Sequence, residues 1–166
     1  MIDSLDEQIK KFQAQGKLPE YVRRKRDFPY VTDKQIEQKA VIYVPLSEEE
    51  GLVVKGKYKS QDKWIVVIGT CENGDIIGAL LINTVPHDFS KELGAVQFPL
   101  YKKDYPFLDY KSWLDCSEIF RIPRAKILKH GGYCGIINET DWKLIWETIV
   151  QTRFISEEDK AELDIR

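Results

Sequence analysis

The chain has 166 residues, of which 43% are hydrophobic and 31% charged, and its formal net charge is −2. This composition predicts one ordinary soluble globular domain with room for an appendage. The near-neutral charge excludes a polycation that binds nucleic acid through its overall charge, so such binding needs a local basic patch. No apolar run approaches the roughly 20 residues of a membrane helix, and the first residues lack the apolar centre of a secretion signal.

The first 40 residues are predicted to be helical. Ser4 is suited to cap a helix over residues 3–15, which Gly16 ends. A second helical segment starts at Pro19 and carries the basic run RRKR at residues 23–26 before Pro29 breaks it. This run is either a contact for nucleic acid phosphates or a solvated helix face. We therefore divide the chain into an N-terminal helical extension, residues 1–40, and a main domain, residues 41–166.

Short apolar segments rich in β-branched residues begin at residue 40. They predict five or six strands in AVIYVPL, GLVVKGKYK, KWIVVIGT, IIGALLINT, GAVQFPLY and SWLDCSEIF. Between two of these segments, Asn73-Gly74 predicts a type I′ hairpin turn, because that turn needs positive φ at both central residues. Several short, closely spaced strands predict a small barrel or a strongly bent sheet.

The C-terminal part is predicted to be helical. Apolar residues recur with helical spacing in NETDWKLIWETIV and form one stripe: Trp142, Ile145, Trp146, Ile149 and Val150. Asn138 is suited to cap this helix. Ser156 is suited to cap a last short helix in SEEDKAELD. With the strands, these helices predict a mainly β fold with helices, of the α+β class.

One stretch, SWLDCSEIFRIPRAKIL at residues 112–128, mixes charged and apolar residues closely. Strict strand alternation places Glu118 on the apolar face and buries it, whereas the two apolar residues that follow it predict a bulge that turns it outward. At the exit of the strand, Arg121 and Arg124 are suited to line a groove. Alternatively, they pair with Asp115 and Glu118 in ion pairs of small net value.

The three cysteines and two histidines are the candidates for disulfide, metal or nucleophilic chemistry. The three cysteines, Cys71, Cys116 and Cys134, are odd in number and show no CxxC spacing, so we expect no disulfide, no metal, no cofactor and a reducing cytoplasmic location. A nucleophilic pair of Cys116 with His87 is conceivable. A cysteine on a strand is, however, more commonly a small core residue.

The order of these segments resembles the MazF/PemK (Kid) toxin family over about residues 50–155. The resemblance runs through the strands at 52–58 and 63–69, GALLINT, the region from AVQFPLY to PRAKIL, and GIINETDWKLIWETI. It implies an SH3-like β-barrel with peripheral helices. It also implies a homodimer that binds single-stranded RNA in its interface groove and an antitoxin protein as partner. The family's activity is metal-free RNA cleavage, in which the ribose 2′-hydroxyl attacks the adjacent phosphate.

The resemblance assigns three catalytic residues. Cleavage needs a base for the 2′-hydroxyl, a cation for the charged phosphorus and an acid for the leaving 5′-oxygen. Lys63 stands where the family has the arginine of an Arg-Pro pair, and is predicted to hold the phosphate. The family's threonine maps onto Asn83 or Thr84, and Thr84 is predicted to donate to a phosphate oxygen. His87 follows closely and is predicted to act as base or acid.

Five residues are predicted to bind RNA. Tyr58 lies between two cations on a predicted hairpin, where an aromatic ring can stack on a base while lysines meet phosphates. The predicted set is Lys57, Tyr58, Lys59, Arg121 and Arg124. The family's strand acid and glutamine are replaced here by Ser117 and Glu118. A second interpretation therefore stays open, in which the barrel has lost cleavage and serves as an RNA- or protein-binding module.

Overall fold

The protein is described here by a computed structural model, which covers residues 28–54 and 59–166. The predicted helix over residues 3–15, the basic run at 23–26, and Lys57 and Tyr58 lie outside the described residues. Within the described part of the chain, no helix is long and apolar enough to cross a membrane.

Within residues 28–54 and 59–166, seven strands form one antiparallel sheet. Their spatial order is β4-β5-β3-β2-β1-β7, and β6 pairs with β3 beside β5. The strands are β1 Ala40–Ser47, β2 Ser60–Thr70, β3 Ile76–Asn83, β4 Gln97–Leu100, β5 Ser112–Asp115, β6 Phe120–Pro123 and β7 Gly132–Ile136. Among the described residues the sheet is open, with β4 and β7 at its two ends. The α+β class is therefore confirmed, whereas the pairings do not establish a closed barrel.

In the described part of the chain, four α-helices accompany the sheet: α1 Lys91–Gly94, α2 Arg124–His130, α3 Glu139–Gln151 and α4 Glu157–Glu162. The capping predictions at two of them are confirmed. Asn138 accepts a hydrogen bond from the Asp141 amide at the start of α3, and Ser156 accepts one from the Asp159 amide at the start of α4. These caps satisfy backbone donors that an open helix end leaves unpaired.

Two hydrophobic cores lie on the two faces of the sheet, because successive strand residues point to opposite sides. The first core contains Val41, Val66 and Leu80 together with the buried stripe of α3. The second contains the alternate residues of the same strands and the buried residue of α2, Ile127. Val31 also packs in this second core, so the last residues of the predicted extension lie against the sheet.

The hairpin between β2 and β3 is confirmed, but its predicted turn type is wrong. Gly74 has a positive φ of 77°, whereas Asn73 does not. The Asn73 side chain instead accepts a hydrogen bond of 3.0 Å from the Asp75 amide. The Cys71 amide closes the loop on the Ile76 carbonyl at 2.9 Å. A wider loop with one left-handed glycine therefore replaces the two-residue turn.

The predicted strand in GLVVKGKYK is not a strand over its described residues. A short 3-10 turn, Glu48–Glu50, follows β1 directly, and Gly51 then adopts a left-handed φ of 93°. Within this turn the Ser47 amide donates to the Glu50 carboxylate at 2.9 Å. This local capping ends β1, so residues 52–54 leave the sheet as a loop.

The predicted strand SWLDCSEIF is broken in the middle. β5 pairs with the end of β3, Ile82 and Asn83, whereas β6 pairs with its beginning, Ile76–Ala79. Residues 116–119 between them form a turn, and Glu118 is exposed. Glu118 is therefore turned outward, as the second alternative expected, but by a break between two strands and not by the predicted bulge.

The C-terminal segment docks on β3 through a glycine. A Cβ atom at Gly78 would lie 2.6 Å from Leu163 Cδ1 and 2.9 Å from Leu163 Cδ2, and Leu163 is only 4% exposed. We expect Gly78→Ala to lower the free energy of unfolding by about 1–3 kcal/mol, as overpacking in a core does. Urea denaturation measures this change.

Two variants control this prediction. Gly94→Ala meets no atom nearer than 3.5 Å and should change stability much less. Adding Leu163→Ala to Gly78→Ala should produce less destabilisation than the sum of the two single changes, because the smaller side chain removes the clash. Strict additivity would show that Leu163 does not pack on Gly78.

Candidate functional site

A cavity of about 780 Å³ opens on the second-core side of the sheet. Four parts of the chain form its wall: the loop after β1, the first residues of β2, the end of β3 with the loop that follows, and the broken strand β5–β6. The polar and charged side chains in its lining are Ser60, Gln61, Asp62, Lys63, Asn83, His87, Asp115 and Glu118.

Strand pairing explains why these side chains meet. Lys63 is opposite Val44, which belongs to the second core, so both residues point to the same face. Asn83 is opposite Trp113 on β5, and Asp115 lies two residues further along that strand. Antiparallel partners share a face of the sheet, and so do residues two apart.

His87 is held by a buried carboxylate. Its Nδ1 lies 3.1 Å from Asp115 Oδ2. The side chain of Asp115 is 7% exposed, whereas that of His87 is 48% exposed. One ring nitrogen is thus bound inside the protein while the ring itself reaches the cavity. This is the arrangement by which a carboxylate fixes the orientation of a proton-transferring imidazole.

Asp115 is in turn fixed by neighbours on both sides. Its Oδ1 accepts hydrogen bonds from Gln97 Nε2 at 2.8 Å and from the Ser117 amide at 3.0 Å. Gln97 also accepts a bond of 3.2 Å from the His87 amide. Gln97 therefore fixes the carboxylate and the histidine backbone together. Such a network satisfies buried polar groups and makes the geometry rigid.

Two charged groups in the cavity have shifted pKa values. Glu118 is exposed to the cavity but partly desolvated by the cavity wall, and this desolvation raises its pKa. The nearby Asp115 carboxylate adds to this effect, and His87 partly opposes it. Burial lowers the pKa of Lys63, because it disfavours the ammonium form. Both shifts move the groups toward the neutral range, which is where acid–base catalysts and substrate-binding charges are commonly found.

Asn83 contributes an unpaired donor. Its Nδ2 is enclosed and has no hydrogen-bond acceptor among the described residues. A buried donor without a partner costs about 1–3 kcal/mol, so an anionic oxygen placed beside it is stabilised. Asn83 lines the same cavity as Lys63. The two side chains therefore offer a cation and an amide donor to one ligand.

Of the three predicted catalytic residues, Lys63 and His87 line one cavity and Thr84 does not. Thr84 is exposed and directly follows β3, which ends at Asn83. Side chains of neighbouring residues in an extended chain point to opposite sides, so Thr84 points away from the cavity that its neighbour Asn83 lines. Asn83, the other position onto which the family's threonine maps, lines the cavity instead.

Cys116 and His87 do not form a pair. Cys116 is fully buried, and burial raises the pKa of its thiol to about 12. Its Sγ lies 3.8 Å from the Leu114 carbonyl, whereas His87 contacts Asp115. A thiol in this setting stays protonated and is not a nucleophile.

The predicted RNA-binding residues lie apart from one another. Lys59 is exposed next to the cavity residue Ser60. Arg121 points away from the second core, because its neighbours Phe120 and Ile122 fill that core. It binds Asp159 and Glu162 of α4 at 2.5 and 2.8 Å. Neither acid belongs to the pair that the sequence suggested.

Arg124 is also paired. Its Nε lies 2.9 Å from Asp33 Oδ1, so it ties α2 to the segment before β1. Neither Arg121 nor Arg124 lines the cavity. Their predicted contacts with RNA stay a prediction, which the structure does not favour.

We expect Arg121→Ala to lower stability rather than RNA affinity. The guanidinium fastens α4 to β6, and its contacts are partly exposed, so the loss should be smaller than that for Gly78→Ala. Urea denaturation measures the stability change, and fluorescence anisotropy with a labelled oligoribonucleotide measures affinity. Arg153→Ala, which removes an exposed arginine, is the control. A weakened affinity with unchanged stability would restore Arg121 as an RNA contact.

No model of a known protein family matches this chain, and no characterised protein is significantly similar to it in sequence. Within residues 28–54 and 59–166 there is no group of three histidine, cysteine, aspartate or glutamate side chains placed to hold a metal ion. Function is therefore inferred from the side chains that meet in the cavity.

Proposed function

We propose that this protein is an endoribonuclease of the MazF/PemK toxin type that cleaves single-stranded RNA in the cavity without a metal ion. One observation carries the proposal. Lys63, His87 and Glu118 line the same cavity, and a buried carboxylate orients His87. These are the cation and the two proton-transfer groups that the reaction requires.

Each group has a role in the proposed reaction. Glu118 accepts the proton of the ribose 2′-hydroxyl as the O2′–P bond forms. Lys63 and Asn83 stabilise the extra negative charge on the phosphate oxygens. His87 donates a proton to the 5′-oxygen as the P–O5′ bond breaks. The products are a 2′,3′-cyclic phosphate and a 5′-hydroxyl, and the reaction consumes no other reactant.

Partial burial makes Lys63 a stronger partner for phosphate. A charge that has lost part of its water interacts more strongly with an anion than an exposed one does. Lysine binds phosphate as a point charge, without the two-pronged contact of arginine. The Asn83 amide beside it supplies a second donor.

The rest of the family's features belong to this proposal. They are a SH3-like barrel, a homodimer, an antitoxin partner and a cytoplasmic location. Two register shifts in the sheet, between Val41 and Ile42 and between Val67 and Gly69, are the observation that supports the barrel. Such irregularities increase the twist and curvature of a sheet.

The proposal is tested by incubating the purified protein with a mixed-sequence single-stranded RNA in excess EDTA. We expect cleavage of the RNA and none of single-stranded DNA of the same sequence, because DNA lacks the attacking hydroxyl. Absence of RNA cleavage would refute the proposed activity. Bound but uncut RNA would favour the binding module. The observation that supports this second function is Lys63, which stands where the family has an arginine.

We expect a pH effect at Glu118. A general base acts in its ionised form, so the rate should rise with pH through the pKa of Glu118, which partial desolvation in the cavity wall and the Asp115 charge raise above its ordinary value. In Glu118→Gln this limb of the pH–rate profile should disappear and the rate should fall about 10²–10⁴-fold. Glu92→Gln, an exposed change on α1, is the control. If the rate of Glu118→Gln still rose with pH on the acidic side of the profile as in the wild type, another group would be the general base.

A further inference from the structure

We propose a second, separate RNA-contact surface, made of Tyr101, Lys103, Lys111 and Trp113 and named here the aromatic–lysine platform. Its ligand is single-stranded RNA, whose bases stack on the two rings while the lysines contact phosphates. The proposal rests on the proposed function, since it supplies the binding surface for the substrate of the cavity.

The platform has close ring–cation contacts. Lys111 Nζ lies 5.0 Å from the centre of the Tyr101 ring and 5.1 Å from that of Trp113. Lys103 Nζ lies 5.8 Å from the centre of the Tyr101 ring. Tyr101 is 43% exposed, and both lysines are exposed. Each ammonium lies over a ring face in a cation–π contact. A base that stacks on the ring replaces the lysine, whose ammonium is then available to contact a phosphate.

The platform continues the face that bears the cavity. Trp113 is the direct cross-strand partner of the cavity residue Asn83, and on its other side it pairs with Pro99 of β4. Neighbouring strands lie about 4.8 Å apart, so Trp113 is about two strand spacings from Lys63. A nucleic acid strand crossing the sheet from β2 toward β4 therefore passes from the cavity onto Trp113 and then Tyr101.

The chain between β4 and β5 holds the platform in place. Tyr105 and Leu108 in this loop are 2% and 1% exposed, and the Tyr105 hydroxyl donates to Asp141 Oδ2 of α3 at 2.5 Å. The Tyr101 carbonyl accepts from the Tyr105 amide at 3.0 Å. Rings fixed in this way lose little conformational freedom when they bind a ligand.

Charge gives a further reason to place the binding surface here. The cavity lining carries three carboxylates, those of Asp62, Asp115 and Glu118, against Lys63 and His87. The arginines at 121 and 124 are occupied by acidic partners. RNA affinity depends on phosphate neutralisation, and the exposed lysines of the platform supply cations on the same face.

The test measures fluorescence anisotropy of a labelled 12-residue 2′-O-methyl oligoribonucleotide, which the proposed chemistry cannot cut. We expect Tyr101→Ser and Trp113→Leu each to weaken binding by about tenfold or more. Lys111→Ala should weaken binding and reduce its dependence on salt concentration. Circular dichroism and urea denaturation of each variant show whether it folds as the wild type does. Tyr101→Ser, at an exposed position, keeps the test valid where Trp113→Leu does not fold.

Tyr30→Ser is the matched control, because Tyr30 is 76% exposed and bridges to β7 at the far end of the sheet. Wild-type binding that Tyr30→Ser leaves intact and Tyr101→Ser weakens supports the platform, whether or not the protein cleaves RNA. Binding equal in wild type, Tyr101→Ser and Lys111→Ala overturns the platform and leaves the cleavage proposal standing. Failure of the wild type to bind the oligonucleotide also overturns the platform.

Discussion

Replacing His87 by alanine is expected to lower the rate of RNA cleavage by about 10²–10⁴-fold. The ring is the proposed proton donor to the leaving 5′-oxygen, and Asp115 holds its Nδ1 at 3.1 Å. Because His87 is about half exposed, its loss should leave the fold intact. A gel assay on a defined oligoribonucleotide measures the rate, and urea denaturation checks stability.

Asp115→Asn separates orientation from proton transfer. It keeps the imidazole but removes the carboxylate that orients it, so we expect a smaller loss than in His87→Ala and an altered pH–rate profile. His130→Ala, which removes the exposed histidine of α2, should cleave at the wild-type rate. Equal activity in His87→Ala and His130→Ala would remove His87 from the mechanism.

Replacing Lys63 by methionine is expected to lower the rate about 10²–10³-fold, the size of effect seen when one group that stabilises transition-state charge is lost. Methionine keeps the apolar length of the side chain, so the half-buried position remains filled. The loss should appear mainly in kcat, because the phosphate charge grows as the reaction proceeds. Single-turnover kinetics on the defined oligoribonucleotide measure it.

Lys63→Arg and Lys143→Met control the Lys63 result. Arginine restores a cation and adds a two-pronged contact, so we expect at least partial recovery of the rate relative to Lys63→Met. Lys143 is exposed on α3 and outside the cavity, and Lys143→Met should not change the rate. A rate in Lys63→Met equal to that of the wild type would show that the cation is supplied elsewhere.

The local parts of the fold could be predicted from the sequence because local chemistry specifies them. The caps at Asn138 and Ser156 and the α3 stripe depend on residues three or four positions apart. Strand identity likewise follows from short β-branched runs. The order of the strands cannot be predicted in this way, because β3 pairs with both β5 and β6 and the paired residues are 30–47 positions apart in the chain.

The site was predictable only in part. The resemblance indicated Lys63 and His87, and both line the cavity. The sequence gives no role to Gln97, and it indicates Asp115 only as an ion-pair partner of the arginines at the strand exit. The sequence does contain a sign of both residues, because each is a polar residue between apolar neighbours in a predicted strand. In the structure both are buried.

The ion-pair partners of Arg121 could not be predicted from the sequence. Its position between the buried Phe120 and Ile122 already places it on the opposite face. Its partners Asp159 and Glu162 lie some 40 residues further along the chain. Only the docking of α4 brings them together, and no local pattern specifies that contact.

The central claim is that the 2′-hydroxyl of RNA attacks the neighbouring phosphate in this cavity. The most direct measurement is mass spectrometry of the product ends after cleavage of a defined oligoribonucleotide in EDTA. We predict 2′,3′-cyclic phosphate and 5′-hydroxyl ends, formed by the wild type and reduced at least a hundredfold in Lys63→Met. Products ending in 3′-hydroxyl and 5′-phosphate, or cyclic phosphate formed equally by both proteins, would contradict the claim.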